Sequence, residues 1–395
     1  MKLLYFGTLC NREAFEERQA KSRQKASAAP LNFESALLEG FAHHGAELEV
    51  FSFPMVASFP NSPLLCWGAR REQVAGGYEC TWLSAINLKG LKQLSQRLSV
   101  RKALKSIRKR EVDAVLIYSV YAPVAEPVLK ACRKHRIPCY CIVADLPKDM
   151  YENRKMGRLK KLLSGAYTQK AIKLQGSFNG YIYLTEAMSE AVAPGVPYIV
   201  VEGIADSMLL QPSAPVEKKK AVMYAGALNE KYGIGRLAEA FLSLNLPQWE
   251  LWIFGEGDLS ERFSELAKRE DRIRYFGRVS REEVLHREKE AALLVNPRPT
   301  GELFTRYSFP SKTIEYMLSG TPVLMTRMEG IPKEYFSVSI SGGEGSVPEL
   351  SAALKSALEL TDSERRLLGE KAKSFILDRA GAMGQSKRIL NFIGK

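Results

Sequence analysis

The order of apolar and polar positions along the chain predicts strands that alternate with helices. Lys2–Phe6 and Leu48–Phe53 are apolar runs of strand length, and Leu31–His44 between them carries apolar residues at helical spacing. The same alternation continues through Ala114–Tyr118, Val124–His135, Ile137–Val143, Gly180–Leu184, Glu186–Val192 and Tyr198–Val201. Strands and helices that alternate in this way indicate a parallel, doubly wound sheet in an α/β fold.

Three segments of this half depart from the alternation. Asn11–Lys25 is charged and has no apolar stripe, so it is predicted to be a mobile loop. Pro54–Gly77 is rich in proline, glycine and aromatic residues and is predicted to be irregular. Two basic helices follow, the first with Leu91, Leu94 and Leu98 on its apolar side, and the change of stripe predicts a break at Ser99.

A second alternating series begins after a polar segment at Ala205–Lys220, which reads as a linker. Its predicted strands and helices are Ala221–Tyr224, Arg236–Leu244, Trp249–Phe254, Phe263–Arg269, Ile273–Phe276, Glu282–Glu290 and Leu293–Val295. We therefore expect two Rossmann-like domains, 1–205 and 206–381, with a C-terminal helix at about 382–395 that packs back on the first. Two such domains should face a central cleft, where ligands commonly bind.

Composition supports a globular protein of two domains. A chain of 395 residues exceeds one ordinary core, and 46% hydrophobic with 26% charged residues is neither disordered nor membrane-spanning. The first apolar run is too short for a signal peptide. Six cysteines without a C-x-x-C pair indicate reduced thiols in a cytosolic protein, and four histidines without ligand spacing make a metal site unexpected.

The net charge of +13 comes from two stretches of the first half. Lys89–Arg110 contains nine basic residues and Asn153–Lys173 seven more, and neither stretch contains an acid. Solvated faces and a nucleic-acid groove are the alternatives, but no nucleic-acid-binding motif is present, so no nucleic acid is expected. An anionic membrane surface suits such stretches best, and we predict that the protein binds one through 89–110 and 153–173.

The stretch Asn296–Thr326 carries the strongest chemical signal. It reads as a strand end, a loop, a short helix and the next strand, with Ser308 or Ser311 as the cap and Pro310 in the first turn. Lys312 and Glu315 fall on the polar side of this helix. A helix start with a lysine and a carboxylate is typical of a site for a nucleotide diphosphate, whereas the alternative is an exposed i,i+3 ion pair.

Two further turns in the second series end strands with glycines. Tyr224-Ala-Gly-Ala is followed by Lys231, and Phe254-Gly-Glu-Gly-Asp ends the next strand. Taken alone, the first turn favours a tight connection with a solvated lysine over a ligand site. Neither turn has G-x-G-x-x-G spacing and no P-loop occurs, so hydride transfer and nucleoside triphosphate hydrolysis lack their usual support.

Several of these motifs resemble one family, the retaining GT-B glycosyltransferases of family 4, also called glycosyl transferases group 1. Tyr224-Ala-Gly-Ala-Leu-Asn-Glu-Lys-Tyr-Gly-Ile is similar to its Val-Gly-Arg-Leu…Lys-Gly turn, and Ile253-Phe-Gly-Glu-Gly to its Gly-x-Gly turn. Phe309-Pro-Ser-Lys-Thr-Ile-Glu-Tyr-Met-Leu-Ser-Gly-Thr-Pro-Val resembles its Glu-Ala-Met-Ala-x-Gly-x-Pro-Val signature. The likeness is greatest to enzymes of capsular and exopolysaccharide assembly.

The resemblance implies a GT-B fold and a sugar transfer with retention from a UDP- or GDP-linked donor, without a metal, to a glycan or lipid-linked acceptor. The residues assigned to the donor on the motifs and the resemblance are Gly7, Gly226, Lys231, Gly255, Arg298, Tyr307, Ser308, Pro310, Ser311, Lys312 and Glu315. Asp145, which follows a predicted strand, and Glu302 are the catalytic candidates. For Asp145, a plain turn aspartate is the alternative.

Two positions depart from the family pattern. The family arginine after the first glycine is Ala227 here, with Arg298, Arg306 and Lys312 as candidates to replace it. The glutamate expected eight residues before Glu315 is Tyr307. A nucleotide-sugar epimerase, a basic nucleic-acid-binding protein and a non-catalytic family member are the alternative functions. The expected location is cytoplasmic, at the inner face of the membrane.

Overall fold

The computed structural model describes residues 1–24, 26–109, 111–146, 168–205 and 216–395. The chain forms two compact units. The first comprises Met1–Asp206 together with Ala382–Lys395, and the second comprises Ser207–Gly381. Residues 206–215 of the predicted linker and 153–167 of the second basic stretch lie outside the described residues, whereas Lys219 and Lys220, predicted to belong to the linker, begin the first strand of the second unit.

The first unit is built on an eight-stranded sheet with a separate strand pair. Its strands are β1 (Lys2–Gly7), β2 (Glu47–Ser52), β3 (Cys66–Trp67), β4 (Arg70–Gln73), β5 (Glu79–Trp82), β6 (Ala85–Ile86), β7 (Ala114–Tyr118), β8 (Cys139–Val143), β9 (Gly180–Tyr183) and β10 (Tyr198–Val200). The sheet order is β10-β9-β8-β7-β1-β2-β5-β4, and every neighbour is parallel except the antiparallel pair β4 and β5. Strands β3 and β6 pair with each other, antiparallel.

Helices cover this sheet. Their bounds are Arg12–Ala20, Ala29–His43, Lys92–Ala103, Ala122–His135, Met188–Val192 and Ala382–Ile393, with residues 168–175 also helical and 3-10 turns at Ala75–Gly77 and Leu104–Lys109. Ala29–His43 packs against the C-terminal helix Ala382–Ile393. A Cβ on Gly40 would lie 2.0 Å from Ser386 Oγ, so the two helices approach closely at a position that only glycine allows.

Three sequence predictions for this unit are wrong. The predicted loop at Asn11–Lys25 contains the helix Arg12–Ala20, because Asn11 caps its first turn and Phe15 is buried against the core. The helix expected to break at Ser99 continues to Ala103. The Ser99 side chain does not interrupt it, because its hydroxyl donates to Ser84 O at 2.6 Å, outside the helix. The segment predicted to be irregular includes β3 and β4, which pair with strands outside it.

The second unit is a six-stranded parallel sheet with helices between its strands. The strands are β11 (Lys219–Ala225), β12 (Glu250–Phe254), β13 (Ile273–Gly277), β14 (Ala291–Asn296), β15 (Val323–Met325) and β16 (Ile340–Ser341). The helices are Ile234–Leu242, Ser260–Arg269, Arg281–Glu290, Leu303–Arg306, Lys312–Leu318, Val347–Glu359 and Asp362–Ala380, with 3-10 turns at Glu230–Tyr232 and Lys333–Val338. The core between them contains Val222, Leu251 and Leu293, all buried.

Both sheets have the doubly wound arrangement. In the second unit the order β13-β12-β11-β14-β15-β16 is the 3-2-1-4-5-6 order of the Rossmann fold. The strand order reverses between β11 and β14, and in the first unit between β1 and β7. Ligands of such sheets bind outside the carboxyl ends of the strands at this switch point. The predicted fold class, with two doubly wound Rossmann-like halves, is confirmed.

No helix within the described ranges is both long enough and apolar enough to cross a membrane.

Candidate functional site

The loops at the switch point of the second unit are held together by glycines. A Cβ on Gly255, after β12, would lie 1.8 Å from the carbonyl oxygen of Gly226, after β11. A Cβ on Gly233 would lie 2.0 Å from the carbonyl oxygen of Pro297, after β14. The backbone N–H of Gly226 donates to Phe254 O at 3.0 Å. These approaches bring the ends of three neighbouring strands into one compact surface.

Two cations share one aromatic ring at this surface. The Arg298 guanidinium lies 4.6 Å from the ring centre of Tyr232, and Lys231 Nζ lies 5.0 Å from the same centre. Lys231 Nζ is also 5.6 Å from the ring centre of Phe304. Arg298 follows β14 and Lys231 lies in the turn after β11, so the two cations come from the two strands of the switch point.

Neither cation is neutralised by a carboxylate among the residues that the structure describes. Burial lowers the pKa of Arg298, and the phenols of Tyr232, Tyr224 and Tyr316 partly offset this effect. Burial raises the pKa of Tyr224 to about 12, while Arg298 and Lys312 act in the opposite direction. The guanidinium of Arg298 is thus surrounded by neutral phenols, so its charge remains available to an anion.

The helix Lys312–Leu318 is fastened to the same strand ends. The Tyr316 hydroxyl accepts a hydrogen bond from the backbone N–H of Ala225 at 2.7 Å and lies 3.1 Å from the Ala225 carbonyl oxygen. Asn296 Nδ2 donates to Thr313 Oγ1 at 3.3 Å. Both contacts hold the helix at the switch point. The predicted cap is wrong for Ser311, which stands at the cap position and makes no capping hydrogen bond with its side chain.

Lys312 and Glu315 belong to a buried ion cluster. Lys312 Nζ forms an ion pair with Glu315 and another with Glu288 Oε1, at 3.3 Å for the latter, and Arg281 Nη2 lies 3.7 Å from Glu315 Oε2. The side chain of Glu288 is fully buried and that of Glu315 is 13% exposed. The alternative of an exposed i,i+3 pair is therefore wrong: the pair exists, but it is largely buried and has two further members.

The pKa values in this cluster follow from burial and charge. Burial, with the charge of Glu315, raises the pKa of Glu288 well above its ordinary value. Burial alone would raise the pKa of Glu315, but Lys312, Glu288 and Arg281 outweigh it and lower that pKa. Burial would lower the pKa of Lys312, and the two carboxyls outweigh it and raise that pKa. Glu315 is therefore an ionised acceptor and Lys312 a permanent cation.

The loop between β14 and this helix carries the remaining predicted residues of the unit. Glu302 is exposed and precedes the helix Leu303–Arg306, whose Thr305 hydroxyl donates to Glu302 O at 2.6 Å. Tyr307 is half-buried, and the Arg306 guanidinium lies 5.9 Å from the centre of the Tyr307 ring. Arg306 Nε also forms an ion pair with Glu329 Oε2 at 3.5 Å. Ser308 is half-buried, Pro310 is buried and Ser311 is exposed, and Pro310 O accepts from Thr313 N at 2.8 Å.

In the first unit, the predicted residue Gly7 lies against a buried carboxyl group. A Cβ on Gly7 would lie 1.9 Å from Glu34 Oε2, so glycine is what allows this approach. Glu34 accepts hydrogen bonds from Tyr5 Oη at 2.8 Å and from Thr8 N at 3.0 Å, and a further one from Thr8 Oγ1. Burial raises the pKa of Glu34 to about 7. Glu34 thus fixes the end of β1, at the switch point of this sheet.

Asp145, the second predicted residue of this unit, is exposed two residues after β8. Burial raises the pKa of Tyr118 well above its ordinary value, and the charges of Glu34 and Asp145 add to the effect. Asp145 therefore lies near the end of β7, next to the switch point.

Sequence reasoning missed Tyr232, Tyr316, Glu288 and Glu34. Tyr316 stands inside the quoted signature and the pattern of apolar positions could have marked it as buried. Glu288 gave no such signal, because it lies in a helix rich in charged residues, 24 positions before Lys312. No group of three or more His, Cys, Asp or Glu side chains suited to a metal ion occurs within the described ranges.

This geometry can be set beside known proteins. The family model described as Glycosyl transferases group 1 matches residues 209–375, which is almost all of the second unit. The chain therefore contains a group 1 glycosyltransferase domain. The predicted class of enzyme, a glycosyltransferase, is confirmed by this match together with the fold. No curated protein matches the chain significantly in a sequence search.

Solved structures resemble this glycosyltransferase over its whole length. The sucrose-phosphate synthase of Thermosynechococcus elongatus has 16% identity and a TM-score of 0.66, with 99% of both chains covered. The Anabaena protein Alr3699/HepE in complex with UDP has 16% identity and a TM-score of 0.61, with 99% of both chains covered. The trehalose 6-phosphate synthase of Burkholderia multivorans has 11% identity and a TM-score of 0.63, with 99% of this chain and 96% of that chain covered. At these identities the likeness shows the GT-B fold.

Proposed function

We propose that the protein transfers a sugar, with retention, from a nucleotide diphosphate donor to a lipid-linked glycan acceptor, as a family 4 enzyme of capsular or exopolysaccharide assembly. The observation that carries the proposal is the pair of cations Arg298 and Lys231 at the switch point of a group 1 glycosyltransferase domain. Because neither has a carboxylate partner within the described part of the chain, both are suited to bind a diphosphate.

Arg298 is the best candidate to replace the family arginine that is Ala227 here. Ala227 follows β11 and Arg298 follows β14, and these two strands are neighbours in the sheet. The guanidinium is held over Tyr232 and has no competing carboxylate among the described residues. The other two candidates are engaged: Lys312 pairs with Glu288 and Glu315, and Arg306 pairs with Glu329.

The diphosphate contacts would act mainly in the transition state. As the bond from the sugar to the diphosphate breaks, negative charge grows on the phosphate oxygens. Arg298 and Lys231 would stabilise this charge, and a guanidinium can offer two parallel donors to phosphate. In this proposal they do so without a metal ion.

Glu315 suits a different part of the donor. Its carboxylate is ionised and held by Lys312 and Arg281, so it can accept hydrogen bonds from ribose hydroxyls without leaving the cluster. Ser308, Ser311 and Tyr307 would complete the donor contacts in the adjoining loop, with the Gly226 and Gly255 turns close to the donor. UDP is the first donor nucleotide to test, because the similar Anabaena protein was solved with UDP.

The acceptor side of the proposal rests on the first unit. Asp145 and Glu302 are the candidates for orienting the sugar and the acceptor hydroxyl, and Gly7 for contact with the donor. The basic stretches 89–110 and 153–173 would hold the enzyme at the inner face of an anionic membrane, where a lipid-linked acceptor is located.

Calorimetric titration with UDP and GDP tests the donor site. Arg298→Ala should weaken binding of the diphosphate about ten- to hundredfold, since a hydrogen bond to a charged group contributes about 1.5–3 kcal/mol. Binding of the uncharged nucleoside should be unchanged. Arg274→Ala is the matched control, because Arg274 forms an exposed pair with Glu250 at 3.1 Å and should not affect either ligand.

The two possible failures are distinct. If the wild-type protein binds neither nucleotide diphosphate nor any UDP- or GDP-sugar, the proposed function is wrong. If it binds them and Arg298→Ala binds equally well, the assignment of Arg298 is wrong and the donor site lies elsewhere in the domain.

A further inference from the structure

Three leucines of the basic helix Lys92–Ala103 and its first turn face solvent. Leu91, Leu94 and Leu98 are 47%, 52% and 54% exposed. The sequence predicted these residues as the apolar side of a helix, and such a side is normally buried. Here the buried side is formed instead by Gln96 and Val100. The predicted apolar side of this helix therefore faces outward.

Cations continue the same stripe along the chain. At 100° per residue, the three leucines, Arg101 and Lys102 fall within a sector about 100° wide. Lys105 follows in the 3-10 turn Leu104–Lys109. All three cations are exposed, as is Lys89 on the other side of Leu91. This outward surface, Lys89 to Lys105, contains no acidic residue. Not every cation of the stretch contributes, because Arg97 pairs with Glu126 at 2.5 Å.

The neighbouring strand pair extends the apolar surface. The backbone N–H of Ile86, in β6, donates to Ser95 Oγ at 3.0 Å, so Ile86 lies beside the leucine stripe. Its side chain is 42% exposed. Ile86 and the three leucines thus give four large exposed apolar side chains in neighbouring elements, which exceeds the scattered apolar residues of an ordinary surface.

We propose that Leu91, Leu94 and Leu98 insert into the interface of an anionic bilayer while Lys89, Arg101, Lys102 and Lys105 contact its headgroups. This inference rests on the membrane part of the proposed function. It adds a hydrophobic contribution to the attachment of the basic stretches to anionic lipid. Apolar side chains flanked by cations on one helical face are the pattern of interfacial helices.

The charges favour a lipid surface over a second copy of the chain. A symmetric dimer through this face would bring the same cations of both copies together, because the two patches in such an interface are identical. Like charges at close range oppose association. A bilayer with anionic lipid offers the opposite charge around an apolar layer, which matches both components of the surface.

Co-sedimentation with vesicles tests the inference. The triple variant Leu91→Gln, Leu94→Gln, Leu98→Gln keeps good helix formers on the helix. It should lose at least about tenfold in affinity for vesicles that contain phosphatidylglycerol, since three half-exposed leucines lose their contact with lipid. The matched control is Leu367→Gln, Leu377→Gln, Met383→Gln, which changes three side chains that are 54%, 40% and 40% exposed elsewhere. The control should bind like the wild type.

The outcomes separate the inference from the proposal on which it depends. Wild-type protein that binds neutral and anionic vesicles equally, or neither, contradicts both. Binding to anionic vesicles that the leucine variant retains in full overturns the inference and leaves attachment by charge alone. A change from dimer to monomer in size-exclusion chromatography, without a change in vesicle binding, would also overturn it. A blue shift of the emission of Leu94→Trp on addition of anionic vesicles supports insertion.

Discussion

Replacing Glu34 with glutamine should remove a pH dependence from the stability of the first unit. Glu34 is fully buried at the end of β1, and burial raises its pKa from the ordinary 4.5 to about 7 although Tyr5 and Thr8 donate to it. The folded state therefore holds a proton that the unfolded state releases between these two values. Stability from this group is fully present below about pH 4.5 and is lost as the pH rises through 7.

The magnitude follows from the shift. The folded and unfolded pKa values of Glu34 differ by about 2.5, which corresponds to about 3 kcal/mol of unfolding free energy in total. About 2.5 kcal/mol of this stability is lost between pH 5 and pH 8. The other titratable groups that interact with Glu34 do not change charge in this window. Burial raises the pKa of Tyr5, Tyr118 and Cys80 above their ordinary values and that of Cys10 to about 11.

Hydrogen exchange of the amides in β1 is the suitable assay, because a chain of two units need not unfold in one step. The free energy of opening of the wild type should fall by about 2.5 kcal/mol relative to Glu34→Gln between pH 5 and pH 8. Comparing the two proteins cancels the contribution of the histidines. A difference between them that stays constant across this range would refute the assignment of a raised pKa to Glu34.

Two predictions concern the stability of the second unit. Gly255→Ala should cost at least about 3 kcal/mol and abolish nucleotide binding, because its Cβ would lie 1.8 Å from Gly226 O at a φ of +126°. Gly277→Ala, at a φ of +65° where a Cβ would make only ordinary contact with Tyr275 Oη at 3.9 Å, should cost about 1 kcal/mol, and equal melting temperatures of the two variants would contradict this expectation. Tyr316→Phe should cost about 1–3 kcal/mol, since the buried N–H of Ala225 loses its acceptor. Protection of the Ala225 amide that matches the wild type would show the bond to be unimportant.

The elements that the sequence predicted correctly are those with a buried apolar pattern of their own. Ala114–Tyr118 and Ile273–Phe276 were found to within about two residues, because buried strands and amphipathic helices carry their period in the chain. The helix Arg12–Ala20 was not predicted, because one buried phenylalanine and a capping asparagine do not form a recognisable apolar stripe. The leucines of Lys92–Ala103 were predicted as the apolar side of a helix, but their exposure could not be predicted, since the same period serves a buried face and an outward one.

Part of the geometry of the candidate site could be predicted from the sequence, and the division is physical. Local motifs identified the turns and the helix Lys312–Leu318, because glycine turns and helix starts depend on neighbours in sequence. The partners of Lys312 and Arg298 depend on which strands become neighbours. Glu288 pairs with Lys312 across 24 residues, and the contact of Arg298 with Tyr232 spans three helix–strand units. A single sequence contains no information on such contacts.

The buried cluster also bears on which cation can bind a diphosphate. Moving Lys312 onto a phosphate would break its largely buried pair with Glu315 and leave that carboxylate with Arg281 alone, and breaking a buried pair costs about 3–5 kcal/mol. Moving Arg298 would cost only its contact with Tyr232, about 0.5–2 kcal/mol for such an interaction. Each new hydrogen bond to phosphate contributes about 1.5–3 kcal/mol. This gain can offset the cost of moving Arg298 but not the cost of moving Lys312. The lysine of the signature helix therefore serves best by holding Glu315 ionised, and the arginine after the neighbouring strand is free to take the diphosphate.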